Sequence, residues 1–129
     1  MRRVATLGLS LLLGCTSVED GAKENYAQAY SCPMERVEIR KRPDIRPSQV
    51  SIGGPPKPPA DVAADPGRLA VWQRDENERA AKLDDYETVY ELRGCDHQVL
   101  WVCARATSHV GGNGIACFPG DYPPGASKW

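Results

Sequence analysis

Apolar residues recur along this chain with two distinct periods, and each period predicts an element. Val37 and Ile39 alternate with Glu38 and Arg40, the two-residue period of a short, half-exposed strand. Tyr86, Thr88, Tyr90 and Leu92 alternate with Glu87, Val89, Glu91 and Arg93. This predicts a second strand with one buried face, broken at Gly94 and followed by a turn at Asp96-His97-Gln98. VLWVCARA, residues 99–106, is apolar on both sides and reads as a central strand. SHVGGNG, 108–114, is a loop; GIACF, 114–118, a last short strand; 119–129 a coil tail.

The helical period occupies 66–84. Asp65 is placed to cap it and Pro66 to open it. Leu69, Trp72, Ala80 and Leu83 share one face, which Glu76 interrupts, so the helix is expected to dock by its two ends and otherwise to face solvent. Asp75 with Arg79, and Glu78 with Lys82, stand four apart in the favourable acid-first order.

Two segments lack either period. Residues 43–66 hold seven of the eleven prolines, which excludes a central strand or helix interior and predicts a stiff, extended surface excursion over 43–65. Its 55–59 stretch would also suit a partner with an aromatic groove. Residues 17–29 are polar and small, and 15–30 reads as a tether. Together these elements predict an α+β fold over 31–118: a small antiparallel sheet of about four strands with one inserted helix, stapled by disulfides.

The chain begins with Arg2 and Arg3, followed by an apolar run from Val4 to Leu13. That run is shorter than the roughly 20 residues a membrane span needs, and a basic start before a short apolar core is the pattern of a secretory signal. Leu12-Leu13-Gly14-Cys15 resembles the lipobox of bacterial lipoproteins. The resemblance implies that residues 1–14 are removed as a signal peptide and that the Cys15 thiol takes a diacylglyceryl group. The new Cys15 amine is then acylated, with a chain such as palmitate. Each buried methylene contributes about 0.8 kcal/mol, so several chains on one residue anchor it firmly to a membrane. Thr16 and Ser17, where retained inner-membrane lipoproteins often carry Asp, point to the outer membrane.

Charge and composition narrow the class. Losing Arg2 and Arg3 with the leader leaves 14 basic against 17 acidic side chains, and no basic block, so a nucleic-acid footprint is missing. One Phe and eleven prolines predict a modest core in need of covalent help.

Cysteine usage supplies that help. With Cys15 lipidated, Cys32, Cys95, Cys103 and Cys117 remain, an even set in an oxidising compartment. Three pairings exist. Antiparallel neighbouring strands would bring the start of the first strand to the end of the second, favouring Cys32–Cys95. Cys103 and Cys117 would then face each other across the 108–114 loop. Chain entropy assigns roughly 4 kcal/mol to the long closure and about 3 to the short one.

The same residues admit other chemistry. Cys95, His97, Cys103, His109 and Cys117 are zinc-ligand types, although no Cys-x₂-Cys pair occurs. A nucleophilic cysteine beside His97 or His109 would need a free thiol, a base within reach and an oxyanion site. GGNG, 111–114, lacks the lysine and hydroxyl of a phosphate loop. Tyr86, Tyr90, Trp101 and Trp72 fit a core better than a ligand platform.

Cys32-Pro33, then YELRGC over 90–95, then Trp101-Val102-Cys103, resembles a pattern in small uncharacterised bacterial envelope lipoproteins: Cys-Pro, a strand, Gly-Cys-Gly, aromatic-x-Cys and a last cysteine. It covers roughly residues 30–118. Asp96 stands where that pattern has Gly, and the resemblance implies a left-handed backbone there, which Asp tolerates better than most residues. The family carries no known activity. The expectation is a non-enzymatic envelope lipoprotein with an accessory or binding role and no cofactor, held to the membrane by Cys15, with an envelope protein as its partner. The alternative is a small envelope enzyme or metal site around Cys95, His97 and Cys103.

Overall fold

A computed structural model describes residues 16–50, 56–106 and 113–129. Four strands form one antiparallel sheet in the order β1-β2-β3-β4: β1 Glu38–Lys41, β2 Thr88–Gly94, β3 His97–Arg105 and β4 Ile115–Gly120. Among the described residues three α-helices accompany them: α1 Val18–Ala29, α2 Ala60–Ala63 and α3 Pro66–Tyr86. The expected α+β sheet with an inserted helix and two disulfides is present. No described helix is long and apolar enough to cross a membrane.

The pairing register sorts side chains onto two faces. Tyr90 lies opposite Trp101, Thr88 opposite Cys103 and Ile39 opposite Leu92, so these share one face. With Cys103 opposite Cys117 and Arg105 opposite Ile115, the same face continues into β4. Helix α1 covers it. Ala22 and Tyr26 are fully buried in a cluster with Val37, Tyr90, Leu92, Trp101, Cys103 and Ile115. Residues 17–29, expected as a tether, therefore belong to the core. Ser17 caps α1, its Oγ accepting from the Asp20 N–H at 3.0 Å. Gly21 permits the close approach: a Cβ there would lie 2.3 Å from Ile115 Cγ1. Asn25 then donates to the Ile115 carbonyl at 3.1 Å, and Asn113 to the Gly21 carbonyl at 3.1 Å.

The other face is covered by chain expected to stay outside. Residues 43–50 fold back, with a 3₁₀ turn at Pro47–Gln49, and bury Ile45 and Val50 against Val89, Leu100 and Val102. Tyr122 and Ala126 of the segment expected as coil tail pack on the same cluster. So β2, expected to have one buried face, is buried on both from Val89 to Glu91 and at Leu92.

Helix α3 starts as expected: Asp65 Oδ1 accepts from the N–H groups of Gly67 and Arg68 at 2.9 and 3.1 Å. It runs to Tyr86, two residues past expectation, and buries none of its residues. Its last turn holds the 3₁₀ turn, Asp84 accepting from Ser48 N–H and Oγ at 2.8 and 3.0 Å. Glu78–Lys82 forms at 3.0 Å, but Asp75–Arg79 does not. Arg79 turns to Glu76 three residues away at 2.8 Å, because i,i+3 neighbours are as close on a helix surface as i,i+4, and Asp75 pairs with the adjacent Arg74.

Candidate functional site

Residues 94–103, which hold Cys95, His97 and Cys103, belong to a hairpin. Gly94 pairs with His97, leaving Cys95 and Asp96 as the two-residue loop. Both have positive φ, 51° and 67°, the requirement of a type I′ turn, whose twist matches that of the strands it joins. The left-handed backbone implied for Asp96 is present. The turn sits one residue earlier than expected, so His97 and Gln98 belong to β3. Gly94 is required by crowding: a Cβ there would meet the Arg36 carbonyl oxygen at 2.5 Å.

Both expected disulfides form. Cys32 and Cys95 join the entry to β1 with the hairpin, Cα atoms 5.8 Å apart. Cys103 and Cys117 face each other across β3 and β4, Cα atoms 4.1 Å apart. The four thiols that a metal or nucleophile would draw on are thus in bridges. Nor does the fold bring Cys95, His97 and Cys103 together. Cys95 is in the turn, whereas Cys103 pairs with Thr88 at the opposite end of β2. The six residue steps from His97 to Cys103 span about 20 Å of extended strand. The exposed His97 ring stacks on Tyr30, centroids 4.4 Å apart, while its carbonyl accepts from the Tyr26 hydroxyl at 2.8 Å. Of the aromatics expected in the core, Tyr90 and Trp101 are buried; Tyr86 is exposed, and Trp72 half-buried on α3. Cys15 and His109 lie outside the described residues.

A second constellation escaped the sequence reading. Glu91, at the centre of β2 on the face away from α1, is fully buried. Its Oε1 accepts from Arg40 at 2.8 Å and from Arg42 at 3.2 Å. Its Oε2 accepts from the Tyr122 hydroxyl, from Gln98 at 3.3 Å and from the Trp129 N–H at 3.2 Å. Arg42, also buried, forks onto Asp44 at 2.9 and 2.7 Å and donates to the Ser127 carbonyl at 2.8 Å. The Arg40 and Arg93 guanidinium groups both lie over the Trp129 ring, 5.0 and 4.1 Å from its centroid. Two arginines balance two carboxylates, so the buried charges are compensated.

Burial pushes the Glu91 carboxyl up, but the Tyr122 hydroxyl, the Trp129 N–H, Arg40 and Gln98 together outweigh it. The carboxyl is held below the usual glutamate range. Burial, followed by the carboxylate it serves, pushes the Tyr122 phenol up to about 12. The arrangement clasps residues 122–129 to the sheet through an ionised glutamate. The alternation of β2 placed Glu91 on the supposed solvent face, although Arg40 on the neighbouring strand and Arg42 just after it hinted at a buried partner. No family model, curated protein or solved structure matches the chain.

Proposed function

We propose that this chain is a lipid-anchored protein of the bacterial cell envelope with a non-enzymatic accessory or binding role. The observation that carries the proposal is Leu12-Leu13-Gly14-Cys15 behind a basic start and a short apolar run. Cleavage before Cys15 and acylation of its thiol and amine would leave the folded domain attached to the membrane. Thr16 and Ser17 favour the outer membrane.

The two disulfides support export, since such bridges persist in oxidising compartments and are rare in cytosolic proteins. The separation of Cys95, His97 and Cys103 supports a stapling role for the hairpin cysteines over a reactive one. The partner would be an envelope protein.

The test is mass spectrometry of the full chain made in a bacterial host. The expected mature protein begins at a triacylated Cys15, and Cys15→Ser leaves the protein soluble or unprocessed. An unmodified Cys15 with residues 1–14 still attached would overturn the proposal.

A further inference from the structure

Under the lipidation reading, the domain would be expected to ride on a spacer between the acylated cysteine and the fold. The structure leaves no room for one. Thr16, the first residue after Cys15, already has its carbonyl held by the Arg105 guanidinium at 3.0 Å. Ser17 is the cap of α1, and its carbonyl accepts from the Gly21 N–H at 2.9 Å. Helix α1 is in turn locked into the core by Ala22 and Tyr26. Neighbouring Cα atoms across a trans peptide are about 3.8 Å apart, so an anchor on the residue that precedes Thr16 would draw the surface carrying Thr16 to the bilayer.

We infer that one end of the sheet, formed by the start of α1, the Arg105 end of β3 and the Tyr86 end of α3, lies against the lipid headgroups with no intervening tether. The inference rests on the proposed acylation of Cys15 and adds the orientation of the domain. Arg105 pairs with Ile115 in the ladder, which puts the start of β4 at this end, and the Tyr86 hydroxyl donates to the Arg105 carbonyl. Exposed Tyr86 and Arg105 suit this position: a phenol sits well at headgroup depth, and a guanidinium forks onto phosphate.

The opposite end is fixed with equal clarity. The twelve residues of α1 extend about 18 Å, and at their far end Tyr26 reaches the carbonyls of Gly94 and His97. Along β3, His97 and Arg105 are separated by about 27 Å. The Cys32–Cys95 bridge, the Cys95-Asp96 turn and the stacked Tyr30 and His97 therefore point away from the bilayer. A protein partner would meet this end.

The test uses the full acylated chain carrying either Glu19→Cys, at the near end, or Glu35→Cys, next to the far bridge. Both positions are exposed. Each variant is placed in phosphatidylethanolamine–phosphatidylglycerol vesicles or in detergent and reacted with a bulky polymer maleimide. Mass spectrometry counts acyl chains on Cys15 and checks that the four native cysteines stay bridged. A residue held within about 5–10 Å of the headgroup boundary is expected to label about tenfold more slowly in vesicles than in detergent, and this is the result expected for Glu19→Cys. Glu35→Cys should label alike in both. A Gly/Ser spacer of about twelve residues placed between Cys15 and Thr16, spanning about 20 Å, should restore the Glu19→Cys rate. Equal rates at both positions with Cys15 acylated would overturn the orientation alone. An unacylated Cys15 would overturn the anchor, and the orientation with it.

Discussion

On the α1 face of the sheet, Tyr90, Leu92, Trp101, Cys103 and Ile115 meet Ala22 and Tyr26, and both disulfides lie in or beside this layer. On the other face, one residue along the same strand, Glu91 binds two arginines, a phenol, an amide and a backbone N–H. The first face is closed by apolar burial, which tolerates small rearrangements, and by covalent bonds. The second joins an apolar cluster of Ile45, Val50, Val89, Leu100 and Val102 to directional bonds to one carboxylate, and a buried charge is costly as soon as a partner leaves. The two faces therefore should fail differently: the α1 face by reduction, the Glu91 face by loss of charge.

The largest effect is expected from Glu91→Ala. It leaves the buried Arg42 without its second carboxylate and the Tyr122 hydroxyl without an acceptor. Removing one member of a buried pair costs about 3–5 kcal/mol. Urea unfolding at neutral pH measures it. A loss below about 1 kcal/mol, the scale of an exposed pair, would mean that water replaces the carboxylate and that the two faces are not distinct.

Opening the Cys32–Cys95 bridge with Cys32→Ala and Cys95→Ala should cost about 4 kcal/mol, and opening Cys103–Cys117 about 3, because the first closes the longer loop. Hydrogen exchange sharpens the comparison. Amides of α1 should lose protection in the first double variant, while those of β2 around Glu91 keep theirs. Uniform loss across both faces would show that the sheet opens as one unit.

The strand side of the α1 face was the more legible in the sequence. Alternation over 86–93, the both-sided apolar run over 99–106 and the Asp65-Pro66 start are local patterns, and local patterns set strand, helix and bridge order. Three things were hidden, all for one reason: they depend on contacts between residues distant in the chain. Residues 17–29 look solvated because Gly21 and Ala22 are small, yet smallness is what lets the helix lie on Ile115. Ile45 and Val50 are isolated apolar residues among prolines. Glu91 reads as a solvent-facing position because period-two alternation records which side a residue is on, not whether another segment covers that side. Residues 122–129 supply that cover from about thirty residues downstream, and only Tyr122 and Trp129 in the supposed coil gave any sign of it.

Tyr122→Phe tests the clasp without emptying it. A hydrogen bond to a charged group contributes about 1.5–3 kcal/mol, and this is the loss expected. Its dependence on pH carries a definite sign. Glu91 releases its proton more readily in the folded state than in the unfolded one, so its contribution is full above the ordinary carboxylate range. It is lost as pH falls through the lowered folded value. Tyr122 is the reverse case. Its folded value, about 12, exceeds the ordinary 10.0, so its contribution is complete below the ordinary value and disappears as pH rises through the folded one. Urea midpoints of the native chain should fall at both extremes, and the alkaline fall should be shallower in Tyr122→Phe. Parallel curves would show that the phenol is not held by Glu91.

The smallest effect should come from Trp129→Leu. The ring meets Arg40 and Arg93 at the rim of the clasp, where both guanidinium groups keep carboxylate partners, Glu91 and Glu38. Leucine retains apolar cover and the backbone N–H that donates to Glu91, but removes the aromatic face. Cation–π contacts at exposed sites contribute about 0.5–1 kcal/mol, and the loss should fall in that range. Added salt should change it little, since the guanidinium groups stay paired with their carboxylates in both forms. A loss as large as that of Glu91→Ala would place the anchor of residues 122–129 in the ring instead of the carboxylate. The Glu91 face would then be closed by an aromatic plug, as Tyr26 closes the other.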